Sequence, residues 1–344
     1  MTGIAEATVQ AASPELQLLQ MTHGVILHHA VCAAARLRVA DLLKDGERST
    51  EDLARQLNVH EDALYRLLRF LAGQGVFVES GPRRFTNSDL SQTMRSDWPG
   101  SVRPVLIFRA THFYLGAFHE LTYSVETSKA AREKVLGMNG FEYLRHHPEE
   151  AQMFDEAMTA ITSIMAPSIA RAYDFGQWET LADVGGGNGL FLAAILKAHP
   201  RLRGVLADLE HVIQRAQRRG FLSGELAARA SFAPCDFFGE VPAGCRAYVM
   251  KSVIHDWDDE ASIRILRNCR RAVPEDGALL LVEHSLGESN EPSLGKATDL
   301  IMLVGTGGKE RTVEEYAALL ASGGFRLRHT ISVGHSLILE AMPD

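Results

Sequence analysis

The sequence predicts an α/β fold, a doubly wound and mostly parallel sheet, preceded by a mainly helical N-terminal module. Three observations carry this. After Trp178 short apolar runs alternate with longer helical patterns, the first run ends in a glycine-rich loop that opens a helix, and residues 1–100 carry helix, turn, helix and hairpin signals in order. At 344 residues the chain exceeds the usual length of one domain.

In the N-terminal module, apolar residues from Gln17 to Leu43 recur at helical spacing, and the small residues of AVCAAA let another helix approach closely. A buried or partner-facing helix pair is expected there. Ser49 or Thr50 caps the next helix, Asn58 turns the chain into another, and Gly73 to Gly75 end it. VFVES and RRFTNS follow as short strands about a Gly-Pro turn. This is the winged-helix pattern, which in many proteins places its second helix in DNA. Charge opposes that use, since residues 45–94 hold eight acids against six arginines where a DNA reader is locally basic. Residues 1–100 therefore read as a packing or dimerisation module.

Residues 101–175 read as a helical linker. Its aromatics and methionines, among them Phe108, Phe118, Phe154, Met158 and Met165, are ordinarily core, but ligand pockets are walled by the same side chains. From residue 176 on, LADVG, GVLAD, AYVMKSVI and ALLLVEH are continuous apolar runs suited to strands buried on both faces. FLAAILKAHP, HVIQRAQRRG and ASIRILRNCRRAVPEDG are the helices between them, and RLRHTISV and SLILEAM close the chain as an antiparallel hairpin about Gly334.

Composition narrows the function. A net charge of −8 repels polyanions, and the arginines at 201–203, 215–219 and 267–271 read as solvated sides of helices or turns, so neither nucleic acid nor an anionic membrane is an expected partner. Cys32, Cys235, Cys245 and Cys269 lack disulfide or metal spacing, which suits reduced thiols and a cytoplasmic location. The N-terminus lacks a leader pattern, and no uninterrupted apolar segment reaches the roughly 18 residues of a membrane span.

Chemistry concentrates at the ends of the expected strands. The loop DVGGGNG gives Gly185, Gly187 and Gly189 as GxGxG rather than the GxGxxG of a dinucleotide site, which weakens a dehydrogenase reading. Asp208 ends the second strand, 19 residues past Gly189, where a carboxylate can accept both hydroxyl protons of a ribose. Asp236, followed by Phe237, closes the third strand-like piece and offers an acceptor for an adenine amino group beside a stacking ring. Each acid alone reads as a helix cap; their order on successive strands points to a ligand at the carboxyl ends. In KSVIHDWDDE, His255 follows an apolar run, and Asp258, Asp259 and Glu260 suit the start of the next helix.

In this order, DVGGGNG, DLEHVI, CDFF, KSVIHDWDDE, LLLVEH and GGKERT resemble the class I S-adenosylmethionine-dependent O-methyltransferases of the plant caffeic acid and animal hydroxyindole type, an architecture shared by bacterial antibiotic-tailoring enzymes. The resemblance spans the chain. It implies a Rossmann-like methyltransferase domain over residues 176–344, a winged-helix dimerisation domain, a homodimer, S-adenosylmethionine as donor with S-adenosylhomocysteine as product, and an aromatic small-molecule acceptor without metal. Carried over, Gly185 and Gly187 lie by the methionine part of the cofactor, Asp208 and Leu209 bind its ribose, Asp236 and Phe237 its adenine, and Lys251 stands nearby. Phe154 and Met158 of FDEAM close over cofactor and substrate, while Phe108, Phe118, Met165, Asp256 and Met302 border the acceptor. His255 matches the general base, and Glu283 and Glu310 the carboxylates that orient it. A phenol with a pKa of about 10 needs such a base, and an ordinary imidazole of about 6.5 can take its proton as the bond to carbon forms. One departure is Cys235, where relatives have glycine, which bears on the local loop shape.

Other readings compete. Some relatives keep the cofactor but hydroxylate or decarboxylate, with altered residues at the base position. Glu283 and Glu310 are also plausible surface ion-pair partners, with Lys309 or Arg311 as neighbours. A winged-helix DNA-binding regulator and a dehydrogenase stand further off.

Overall fold

The computed structural model describes residues 13–344. The chain divides into two compact units, one ending at Ala110 and the other running Thr111–Asp344. The first unit extends past residue 100 because the helix Arg103–Arg109 is tied back to Gly24–Leu37. Arg103 Nε donates to the Ala35 carbonyl at 3.0 Å, and His28 Nε2 lies 3.2 Å from the Arg109 carbonyl.

In the first unit, Ser49 caps Thr50–Leu57 by accepting the Asp52 N–H at 3.1 Å, and Asn58, at φ 54°, turns the chain toward Glu61–Gly73. Leu53, Leu64, Leu68 and Leu71 bury the inner faces of these helices against Phe77 and Phe85. Those aromatics sit on β2 (Phe77–Gly81) and β3 (Arg84–Asn87). A two-residue strand unforeseen from sequence, β1 (Arg48–Ser49), completes an antiparallel sheet of order β1-β3-β2. Five arginines of this unit are engaged by acids: Arg38 by Asp41, Arg55 by Glu51 and Asp52, Arg83 by Glu61 and Asp62, Arg84 by Glu47, and Arg95 by Asp97.

The first described helix, Pro14–Thr22, buries none of its residues. Leu16, Leu18, Leu19 and Met21 on it, with Val25 and Ile26 just beyond, are exposed. The stretch Pro14–Leu37 is long and apolar enough on average to cross a membrane by length and composition alone, though it is not an uninterrupted apolar run. Scattered polar residues such as Gln17, Gln20 and His23 interrupt the run without lowering its average enough, and the helix itself is interrupted at His23.

The second unit is built on a seven-stranded sheet. Its strands are β4 (Thr180–Val184), β5 (Arg203–Asp208), β6 (Ala230–Pro234), β7 (Ala247–Lys251), β8 (Ala278–His284), β9 (Phe325–Val333) and β10 (Ser336–Pro343), in the order β6-β5-β4-β7-β8-β10-β9. The first five pair in parallel, and β10 runs antiparallel between β8 and β9. Every residue of β8 is buried, as expected for a strand covered on both faces. Helices Leu190–Ala198 and Asp259–Ala272 belong to opposite cores, one built on Phe191 and Ile195, the other on Ile265 and Leu266. Chain order runs one way from β4 through β6 and the other way from β7, so the crevice at the carboxyl ends of β4 and β7 is the switch point where such sheets receive ligands.

All four cysteines are free and buried. Burial raises each thiol, Cys235 to about 11 and Cys269 to about 12.

Candidate active site

The loop after β4 is shaped by backbone. Gly187 has φ 59°, where a side chain is strained, and nothing lies within 4 Å of the place its Cβ would take, which leaves room for a ligand. At Gly186 a Cβ would fall 2.5 Å from Leu206 and 2.6 Å from the Asp183 carboxyl, so the loop closes only over glycine. Asp208 holds the loop from β5, accepting the Gly187 N–H at 2.9 Å and the Leu209 N–H at 2.7 Å. Burial raises its carboxyl, opposed by those two hydrogen bonds. Each oxygen keeps a lone pair for a further donor. Leu209 beside it is exposed, Asp236 Oδ1 accepts the Phe238 N–H at 2.9 Å, and the Phe237 ring lies 3.6 Å from where a Gly185 Cβ would stand. Cys235 does not distort this corner: its N–H reaches the Asp208 carbonyl at 2.8 Å and its thiol the Glu240 carbonyl at 3.3 Å.

Two buried charges stand behind the loop. Both oxygens of Asp183 lack a hydrogen-bond partner among the described residues, and burial, offset in part by Lys251, pushes its carboxyl up to about 7. Burial lowers Lys251, with Asp183 and Glu283 pulling the other way. The long helix Pro148–Ala172, which carries Phe154, Met158 and Met165, is fastened to the loop by a hydrogen bond from Asn188 to Thr159 and to the helix after β5 by Asp155 with Arg215 at 3.2 Å. Phe154 and Met158 are half-buried on it. Met165 packs against the core cluster that includes Ile169 and Phe191, the ordinary use of such a side chain.

Beyond β7 the structure brings side chains together. Ser252, left-handed at φ 53°, turns the chain out of the strand into a short turn, Ile254–Asp256, which presents His255. Glu283, near the end of β8, accepts the Ile254 N–H at 3.0 Å and sets its Oε2 3.5 Å from His255 Nδ1. Glu310 places Oε1 2.7 Å from the same nitrogen, while its own N–H is held by Asp299 at 2.9 Å. The loop carrying Glu310 lies on the His255 backbone itself, for a Cβ on Gly308 would fall 2.1 Å from the His255 carbonyl oxygen. Glu283 and Glu310 are thus not surface ion-pair partners. Lys309 and Arg311 turn instead to Asp259, at 3.0 and 2.8 Å, and fully buried Arg311 also donates to the Trp257 carbonyl at 2.9 Å. Asp258 caps the following helix, accepting the Ala261 N–H at 2.8 Å.

The electrostatics depart from an ordinary imidazole. Burial by itself lowers His255, but the charge of Glu283, the hydrogen bond to Glu310 and the charge of Asp256 carry it up to about 9. Burial also raises Glu310, yet the hydrogen bonds from His255 and His284 outweigh it and hold the group below the usual carboxylate range. Glu283 is raised by burial, against the pull of His255. The expected base near 6.5 is therefore a stronger base that is mostly protonated at neutral pH. Asp256 Oδ1 stands 4.0 Å from His255 Nε2, on the side away from the two glutamates.

Sequence reasoning missed three groups here. His284 places Nδ1 2.9 Å from the same Glu310 oxygen, its ring parallel to that of His255 with centroids 5.6 Å apart. Asp183 was visible in DVGGGNG but given no role. Arg132, on the helix Ala131–Leu136, is largely buried, with its field reaching Asp256. Phe118 packs with Ala117, Ala131 and Val304, and half-buried Met302 lies on the helix Leu294–Gly305. Phe108 is buried within the first unit, on Arg103–Arg109.

A switch-point crevice with a backbone-shaped loop on one strand and a histidine between two glutamates on the next defines a class I methyltransferase. Residues 118–326 match the O-methyltransferase domain and residues 19–97 the O-methyltransferase dimerisation domain; the chain belongs to this family and is an O-methyltransferase. It is 41% identical over 327 residues to the phenazine O-methyltransferase PhzM of Lysobacter antibioticus, covering 95% of each chain. The O-methyltransferase NcsB1 of neocarzinostatin biosynthesis, solved with S-adenosylmethionine and 2-hydroxy-5-methyl naphthoic acid, superposes with a TM-score of 0.78 at 33% identity, over 92% of this chain and 96% of that one. Human N-acetylserotonin methyltransferase, at 23% identity and a TM-score of 0.89 over 98% and 99% of the two chains, has the same fold. The dehydrogenase and regulator readings fall with these matches.

Proposed function

We propose that this enzyme methylates a phenolic hydroxyl of an aromatic small molecule of antibiotic or related secondary metabolism, with His255 as general base and no metal. The observation that carries it is the held imidazole: Nδ1 lies 2.7 Å from Glu310 and 3.5 Å from Glu283, so Nε2 is left for the acceptor. Bound S-adenosylmethionine supplies a methyl group already activated on a positively charged sulfur. The chain's task is placement, exclusion of water and a proton acceptor. Gly187 leaves space for the amino-acid end of the cofactor and Gly185 borders it, Asp183 and Lys251 stand behind it, Asp208 and Leu209 take the ribose, and Asp236 and Phe237 the adenine. Phe154 and Met158 border both ligands, and Phe118, Met302 and Asp256 border the acceptor.

Neutral His255 Nε2 takes the phenol proton while Nδ1–H donates to Glu310, whose charge stabilises the imidazolium that forms. A base near 9 is well matched to a phenol of about 10, at the cost of a small neutral fraction at pH 7.

His255, His284 and Glu310 also form a possible metal-binding set, with ligand atoms within 4.8 Å of one another. The spacing favours protons: both Nδ1 atoms stand 2.7 and 2.9 Å from one carboxylate oxygen. Tetrahedral ligands at about 2.0–2.2 Å from zinc would lie farther apart than that. Homodimer formation through residues 1–100 is supported by the dimerisation domain and by the exposed apolar face of Pro14–Thr22. Four buried, free cysteines suit a cytoplasmic enzyme.

The test is turnover of a dihydroxyphenazine or dihydroxynaphthalene acceptor, followed as S-adenosylhomocysteine. His255→Gln should lower kcat by about 100- to 10,000-fold while S-adenosylmethionine affinity stays unchanged. Near-normal turnover in that variant, or a requirement for added zinc after chelation, would overturn the reading.

A further inference from the structure

Arg132 is a buried cation that nothing above employs. Its guanidinium carbon lies 4.4 Å over the Phe113 ring, and a Cβ on Gly140 or Gly305 would come within 3.0 Å of its side chain, so two glycines make the slot that it fills. Its Nε is buried without a hydrogen-bond partner, and among the described residues Arg132 forms no ion pair within 4.0 Å. The acid whose field it feels most is Asp256, which stands beside His255 Nε2. Burial pushes Arg132 down to about 10, as expected of a charge short of partners.

An unneutralised buried guanidinium is costly, and a chain keeps one where a ligand completes it. The planar fork of N–H donors suits a carboxylate better than a hydroxyl or a ring face. Gly305, against which its guanidinium lies, is three residues before Gly308, which stands on the His255 and Asp256 backbone, so a carboxylate held by Arg132 and the reacting hydroxyl fit on one molecule. We propose that Arg132 is a specificity residue that binds a carboxylate carried on the acceptor's ring system, so that the substrates are hydroxyaryl carboxylic acids. The inference rests on the reading of the His255 crevice as the acceptor site. Burial raises the Asp256 carboxyl, opposed by the charges of His255 and Arg132 on either side of it.

The test compares three probes, 1-hydroxy-2-naphthoate, 3-hydroxy-2-naphthoate and 6-hydroxy-2-naphthoate, with their uncharged carboxamides by calorimetry on the full-length enzyme saturated with S-adenosylhomocysteine. At least one acid should bind about ten- to a hundredfold more tightly than its amide, the range of a hydrogen bond to a charged group. In Arg132→Met that ratio should fall toward one, and in Arg132→Lys it should recover in part, because the charge returns without the fork. Equal or absent binding of all acids and amides to the wild-type enzyme overturns the proposal, and so does an Arg132→Met variant that loses acid and amide affinity alike, which would make Arg132 a support for Asp256. Should Arg132→Met not fold, the wild-type ratio still decides. Failure to bind S-adenosylhomocysteine at all would strike instead at the methyltransferase reading of the crevice.

Discussion

The glycine loop after β4 and the base cluster after β7 sit at the ends of adjacent strands and are built by opposite means. Around His255, side chains satisfy one another: two imidazoles meet one Glu310 oxygen at 2.7 and 2.9 Å, and Glu283 takes the backbone of the turn. Around Gly187 the shape comes from missing side chains, and Asp208, Asp183 and Leu209 are left half-satisfied or exposed. The difference separates two tasks. On the proposed function, the imidazole is tuned by the chain before anything binds, whereas the crevice after β4 has acceptors left to fill, so mutations in one region should alter rate and in the other affinity.

The most severe way to test that division is Gly308→Ala. The added methyl meets the His255 backbone at 2.1 Å, and displacing a reacting group by an ångström costs about 100-fold. Stopped assays should show kcat reduced by about that factor, with S-adenosylmethionine affinity by calorimetry unchanged. A comparable loss of cofactor affinity would break the comparison. Asp208→Asn should do the reverse, weakening S-adenosylmethionine binding about tenfold through one lost charge-assisted hydrogen bond, with kcat preserved at saturation.

The smallest effect probes the electrostatics of the cluster. Because His255 Nε2 accepts a proton only when neutral, kcat should rise with pH, with a midpoint above the ordinary 6.5 and toward about 9. His284→Phe keeps a ring against His255 but removes a donor from Glu310, whose charge then acts more fully on His255. The midpoint should move further alkaline by less than about one pH unit in a pH–rate profile. An acid limb at the ordinary imidazole value would mean that the two glutamates orient the ring without raising its basicity.

Much of this was legible in the chain because strand ends announce themselves. Apolar runs closing in Asp208 or His255 place chemistry at carboxyl edges, and glycines at 185–189 mark a backbone that must bend. What escaped was tertiary. Neighbours on a strand ordinarily face opposite ways, so Glu283 concealed His284, although Glu310 and the turn below it gather both. Arg132 in AREKVL looks like any helix charge, and only Gly140 and Gly305, brought from elsewhere in the chain, reveal the slot around it. The compact unit's extension to Ala110 rests on hydrogen bonds from Arg103 and to the Arg109 carbonyl, not on a change of composition. The pKa of His255 was unreadable for the same reason: it depends on distances to residues 28 and 55 positions away.

The four sequestered thiols make the protein its own unfolding reporter. With Cys32, Cys235, Cys245 and Cys269 buried and their thiolates disfavoured, alkylating reagents find no ready target in the native chain. Each acquired label therefore records an opening event. Cys32 lies in the first unit and the other three in the second, so peptide-resolved labelling would time the loosening of the two halves separately without introducing a probe.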